Sequence, residues 1–220
     1  MPAVRVSARE GYELWAATWD ATPSPIVAVE QRALLPWISG TCARRAIDVG
    51  CGTGRWTGRL GAVGVDVSQA MLQHAAQKPG LRGRLAVADA HALPFAAKSA
   101  DLVLCALTLG HVRDQAAAMR EFVRILAPGG TLLITDFHPA AAALGWRRTF
   151  RREDTVYELE NHPYTVDLLR EAGAGLVLAE CMDASIGESE RELFLAAGRP
   201  HLFEDACRTP AVLLTRWERV

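Results

Sequence analysis
Gly50-Cys51-Gly52-Thr53-Gly54 alternates glycine with a small side chain, and Asp48 stands two places before it. Alternating glycines let a backbone turn sharply and leave no side chain in the path of a ligand. The helix expected to begin at Arg55 turns its free N–H groups and positive dipole end back on this loop, which suits a carboxylate or a phosphate. Asp48 narrows the choice, because a carboxylate there repels a pyrophosphate and pairs with an ammonium. The dinucleotide fingerprint G-x-G-x-x-G wants a glycine where Arg55 stands, and the phosphate loop G-x-x-x-x-G-K-[ST] wants a lysine that does not follow these glycines. Asp66 and Asp89 each close a short apolar run, and His111, His138 and His162 are the imidazoles available to move a proton.

These residues need a frame. Ala46, Ile47 and Val49 read as the end of a buried strand and Arg55 to Leu60 as a short helix, so the loop lies at the carboxyl edge of a parallel sheet. Ala62–Val67 reads as a second strand, with Ser68 capping a helix through Gln77. Leu85–Ala88, Ala100–Ala106 and Thr131–Thr135 follow as strands. Asp114 caps a helix over Gln115–Leu126, with Ala118, Phe122, Ile125 and Leu126 on one face and Pro128-Gly129-Gly130 at its end. Thr165 caps a helix ending at Gly173. Leu176–Cys181 and Val212–Trp217 are the last two strands, around a polar, partly helical 184–208. At the front, Ser7–Trp19 carries Tyr12, Leu14, Trp15 and Trp19 at roughly helical spacing, and Ile26–Leu35 forms a second helix ended by Pro36. Strand alternating with helix predicts an α/β, doubly wound sheet.

The glycine stretch resembles motif I of the class I S-adenosylmethionine (SAM) dependent methyltransferases, of the small-molecule type. Asp89-Ala90-His91-Ala92-Leu93-Pro94-Phe95 is similar to the family's D-A-x-x-L-P-F stretch, and Asp101 to Asp136 to its run ending in a Pro-Gly-Gly turn and a strand. Tyr12 to Asp20 is similar to its N-terminal Y-x-x-W-A-x-x-[YW]-D pattern. The match runs from about residue 40 to 138. It departs at Gly110, where a first histidine is common, and Asp48 and Asp66 are only 18 apart, a first helix about one turn short.

The resemblance implies a Rossmann-like sheet of about seven strands, the last antiparallel, in one domain over 1–220. Residues 1–40 would form a helical lid, 41–138 the SAM core, 139–165 an optional substrate lid and 166–220 the completion of the sheet. It implies SAM as cofactor, with Asp48 on the ammonium and Gly50, Cys51, Gly52, Thr53 and Gly54 around it. Asp66 takes the ribose hydroxyls, a role needing a carboxylate because an amide cannot accept at both oxygens. Asp89 and the Ala90 N–H meet adenine, Val67 and Met71 supply apolar walls, and Leu107 adds a contact. Tyr12 and Trp19 either pack the domain edge or lie over the sulfonium, where a ring gains cation–π attraction.

The implied reaction is SN2 methyl transfer to an oxygen, nitrogen or carbon nucleophile. Orientation alone lowers such barriers by roughly 7–11 kcal/mol, and a general base adds about 10²–10⁴ in rate where the acceptor must lose a proton. His111 and His138 follow the fourth and fifth strands and are the candidate bases; packing and turn roles are their alternatives. Arg148 to Leu159 reads as a hairpin, either a solvated surface or a lid, in which Arg148, Tyr157 and His162 would contact substrate.

At 220 residues, 50% hydrophobic and 22% charged, the chain suits a soluble globular fold. A net charge of −1 and a pI near 6.6 provide no basic field for nucleic acid or membrane. Five scattered cysteines without C-x-x-C argue for reduced thiols in the cytoplasm and no metal site. The expected partner is a small molecule, and the protein a monomer or homodimer. The competing readings are an NAD-dependent oxidoreductase, a non-catalytic SAM-binding partner protein and, within methyltransferases, an RNA or protein substrate.

Overall fold
The computed structural model describes residues 3–41 and 43–220. Cys42 lies outside the described residues. In chain order the elements are β1 (Val4–Val6), α1 (Ala8–Trp19), α2 (Pro25–Ser39), β2 (Ala46–Val49), α3 (Arg55–Leu60), β3 (Val63–Asp66), α4 (Gln69–Ala75), β4 (Leu85–Val87) and β5 (Ala100–Ala106). They continue with α5 (Gln115–Ile125), β6 (Leu126–Phe137), α6 (Pro139–Ala143), β7 (Thr149–Arg152), β8 (Thr155–Leu159), α7 (Val166–Ala172), β9 (Leu176–Ser185), α8 (Arg191–Ala196), α9 (Phe203–Cys207) and β10 (Pro210–Arg219).

The larger sheet has seven strands in the order β4-β3-β2-β5-β6-β10-β9. β10 runs antiparallel to both its neighbours, and the remaining pairs are parallel. All four residues of β2 are buried, as a central strand covered on both faces requires. On one face α5 packs Met119, Phe122 and Ile125 against Leu132, Ile134 and Trp217. On the other α2 packs Val29, Leu34 and Ile38 in the cluster that holds Leu102, Leu104 and Leu214. The strand order reverses between β2 and β5, and the crevice outside their carboxyl ends is where such sheets bind ligands.

A second sheet, β1-β8-β7, has its own apolar cluster of Val6, Trp15, Phe150 and Leu159. β1 pairs in parallel with β8, Val6 opposite Leu159, and β7 and β8 form the expected hairpin. The N-terminal segment and the hairpin, expected as two lids, are therefore one layer. Trp15 stacks on Phe150 at 4.6 Å and Phe150 on Tyr157 at 5.2 Å.

Two readings of helix and strand ends differ from expectation. α2 runs through Pro36 to Ser39, because Leu34 and Ile38 on either side of it both bury on the sheet; that packing offsets the about 3 kcal/mol cost of an interior proline. Pro128-Gly129-Gly130 does not separate helix from strand. β6 already starts at Leu126, opposite Ala100, and the register then jumps to Leu102–Thr131, so the turn is a bulge inside the strand. The 184–208 stretch is partly helical as expected; Phe194, Phe203 and Ala206 are buried in the α2-side core, and the buried Glu190 pairs with Arg32 at 3.1 Å. No helix among the described residues is long and apolar enough to cross a membrane.

Candidate active site
The glycine loop is fixed by its own backbone. Gly50, Gly52 and Gly54 have φ of +70°, +54° and +81°, the left-handed region that side chains resist. The Gly50 and Cys51 N–H groups both donate to Val65 O, at 2.8 and 3.0 Å, which ties the loop to β3. From the end of β3, Asp66 accepts from Gly52 N at 2.7 Å and from Ser68 N at 2.8 Å. Burial raises its carboxyl above the usual range, and those two backbone donors pull the other way.

Asp48 is 2% exposed and accepts from Thr57 Oγ1 at 2.7 Å through one oxygen. Burial pushes its pKa up to about 6, with Thr57 and Arg55 opposing. A buried carboxylate with one hydroxyl partner is poised to gain from a cation. Cys51 is buried, and burial pushes its thiol far up, which removes it as a nucleophile.

These groups line one cavity of about 370 Å³ at the carboxyl edge of the sheet. Asp48, Gly50, Cys51, Gly52, Thr53 and Asp66 line it together with Val67, Met71, Asp89, Ala90, Leu107 and His111. Tyr12 and Trp19 close it from α1, edge to face at 5.4 Å. The α1 segment is tied to the glycine loop and to α4 by polar contacts. Thr53 Oγ1 donates to Asp20 at 2.6 Å, and Glu13 caps α4 by accepting from Gln69 N at 2.6 Å. A Cβ on Gly52 would meet only Met71, at 3.4 Å, so the loop offers its backbone to the cavity.

His162 also lines the cavity, but four other sequence candidates do not. Gly54 turns toward Leu81 and Ala75 instead. His138 accepts from Ala140 N with Nδ1 as the cap of α6 and faces Asp183 through Nε2 at 3.2 Å. Tyr157 is absorbed in the apolar cluster of the lid, because alternation along β8 points it inward with Leu159. Arg148 lies behind the wall. Its Nη1 donates to Tyr12 Oη at 3.1 Å, to Leu107 O at 2.9 Å and to His111 Nε2, and its Nη2 faces Asp136 at 3.8 Å. His111 Nδ1 meets Glu160 O at 2.7 Å. Burial, then Arg148, lowers the imidazole pKa to about 3, which makes it a weak base in this geometry. At Gly110 a Cβ would lie 2.8 Å from Asn161 Oδ1 and 3.0 Å from Asp136, so the missing first histidine has no room here.

The sequence reading missed Glu30, 0% exposed on the core face of α2, which accepts from Arg55, Trp56 and Thr135. Its signal was a lone acid four residues before Leu34 among apolar neighbours. Arg9, Arg113 and Glu160 at the cavity were missed as well and carry no sequence signal. Among the described residues no group of three or more histidines, cysteines or acids is placed to hold a metal ion.

Residues 47–134 match the family model described as "Methyltransferase domain". An uncharacterised protein of Mycobacterium tuberculosis is 38% identical over 138 residues, 61% of this chain and 46% of that protein. A malonyl-[acyl-carrier protein] O-methyltransferase of Xylella fastidiosa is 29% identical over 198 residues, 84% of this chain and 64% of that protein. The chain thus spans about half the length of the first relative and under two thirds of the second. Among solved structures, a SAM-dependent methyltransferase from Mesorhizobium loti superposes with a TM-score of 0.65 at 24% identity, covering 89% of this chain and 100% of that one.

Proposed function
We propose that this chain, which belongs to the class I SAM-dependent methyltransferase family, transfers the methyl group of SAM to a small-molecule acceptor. The observation that carries this reading is the convergence of Asp48, Gly52, Asp66 and Asp89 on one cavity at the sheet's switch point.

The chain fits the cofactor group by group. Asp48 has one hydrogen-bonded oxygen and a buried environment, which suits the ammonium. Asp66 takes the ribose hydroxyls with the lone pairs left by Gly52 N and Ser68 N. Asp89 and the Ala90 N–H offer an acceptor beside a donor, the complement of an adenine edge. Val67 and Met71 give the apolar face, and Tyr12 and Trp19 a lid whose rings attract a sulfonium. Bound SAM supplies an activated methyl electrophile. The chain's own work is to orient the two reactants and exclude water, which the aromatic lid does.

The acceptor enters beside Arg9, Arg113 and His162, which line the same cavity. Arg9 is in no ion pair among the described residues, which favours an acceptor with an anionic group. The Xylella fastidiosa relative, named a malonyl-[acyl-carrier protein] O-methyltransferase, is consistent with an acidic acceptor. The test is transfer from methyl-labelled SAM into a fractionated extract. Label in small acidic molecules, or in acyl groups that hydroxylamine releases from a carrier protein, supports the reading; label only in RNA or in polypeptide side chains overturns the substrate class.

A further inference from the structure
We propose that Arg148 is a positioning residue for this site: from the base of the hairpin it holds Tyr12 and the Nδ1–H tautomer of His111 in the cavity wall. The proposal rests on the methyl-transfer reading above only for what the wall encloses.

The tautomer follows from hydrogen-bond arithmetic. A guanidinium is always charged and donates only. Arg148 Nη1 contacts His111 Nε2, so Nε2 carries the lone pair and Nδ1 the proton. That proton has its acceptor, Glu160 O at 2.7 Å. Tyr12 Oη, 3.1 Å from both Nε2 and Nη1, accepts from the arginine and shares with it the single lone pair of Nε2. The same nitrogen reaches Leu107 O at 2.9 Å. One guanidinium thus joins α1, the end of β5 and the turn after it. Asp136, already holding Gly110 N and Phe137 N, balances the charge from β6.

Arg148 does not line the cavity, whereas Tyr12, Leu107 and His111 do, so it acts through them. The titratable groups facing the His111 ring are Tyr12 from α1, Arg148 from the hairpin base and His162 from the segment after β8; Glu160 meets it only through its backbone carbonyl, its carboxylate lying 3.7 Å from Arg113. Burial and the arginine both keep the ring neutral, so its hydrogen-bonding role is constant across physiological pH.

The test is ¹⁵N NMR of the ligand-free protein, with His111 assigned through His111→Gln. In the wild type, His111 shows a protonated Nδ1 and a bare Nε2 and does not titrate between about pH 5 and 8. In Arg148→Met the ring's pKa rises above the wild-type value of about 3, with burial still holding it below the ordinary 6.5, and Nε2 loses its guanidinium donor. Calorimetry of the same variant shows SAM binding weakened about tenfold at pH 7, the fold-change expected when a charge-assisted hydrogen bond is lost. A wild-type ring that titrates normally, or carries its proton on Nε2, overturns the proposal. So does a folded Arg148→Met whose ring and SAM affinity both match the wild type. If Arg148→Met does not fold, the wild-type tautomer decides alone. Failure of the wild type to bind SAM would count against the methyl-transfer reading and leave the tautomer result standing.

Discussion

Glu30 Oε2 accepts from Arg55 Nη1 at 2.6 Å, and its other oxygen takes Trp56 Nε1 and Thr135 Oγ1, each at 3.1 Å. One buried carboxylate on α2 therefore anchors the helix that starts at the glycine loop and the end of β6. Thr135 in turn accepts from Leu107 N at 3.2 Å. Glu30→Ala leaves a guanidinium, an indole N–H and a hydroxyl without their acceptor. The expected cost is about 3 kcal/mol, read as a lower urea midpoint at unchanged m; Glu30→Gln costs less because one oxygen remains.

Asp48 links stability to ligand through pH. Its folded pKa, about 6, lies above the ordinary 3.8. The sign follows: its contribution to stability is full below about pH 4 and is lost as pH rises through 6, an effect of about 3 kcal/mol. Asp48→Asn therefore stabilises the ligand-free protein at pH 8 in denaturant titrations. The same variant binds SAM more weakly, because no carboxylate meets the ammonium. In the wild type, calorimetric SAM affinity falls as pH drops below about 6.

Two neighbouring glycines separate folding from binding. A Cβ on Gly50 would overlap the Thr108 side chain, and φ there is +70°. Gly50→Ala is expected to lower thermal stability by about 1–3 kcal/mol. Gly52, at φ +54°, also resists a side chain, but a Cβ there meets only Met71 at 3.4 Å, so Gly52→Ala loses less stability than Gly50→Ala and weakens SAM binding.

His138 is spent on structure. His138→Ala removes the α6 cap, at about 1 kcal/mol, and leaves SAM affinity within twofold of wild type by calorimetry. A large loss of affinity in this variant would return it to the list of site residues.

The fold was legible where one signal sufficed. Alternating strands and helices placed β2 to β6, and Ser7, Ser68, Asp114 and Thr165 are N-caps whose oxygens accept from the third residue on. That Asp48, Gly50, Gly52, Asp66 and Asp89 come to one cavity was legible because glycine spacing and strand-end acids are local patterns. What was not legible depends on contacts between distant segments. Nothing in Val4–Val6 announces a strand, since its partner β8 lies some 150 residues away in the chain. Arg148 was read as a substrate ligand because four arginines near a hairpin look alike in sequence; only the packing of Tyr12, His111 and Asp136 around one of them sets it apart. Pro36 and Pro128 were read as breaks because local cost was weighed without the tertiary packing that outweighs it.

The most direct measurement is calorimetric titration of SAM into the wild type and into Asp66→Ala, whose carboxylate holds Gly52 N and Ser68 N at 2.7 and 2.8 Å. The account predicts saturable one-to-one binding to the wild type and a loss of at least tenfold in the variant, with NADH binding neither. No SAM binding by the wild type, or equal affinity in both proteins, would contradict the assignment of this cavity as the cofactor site.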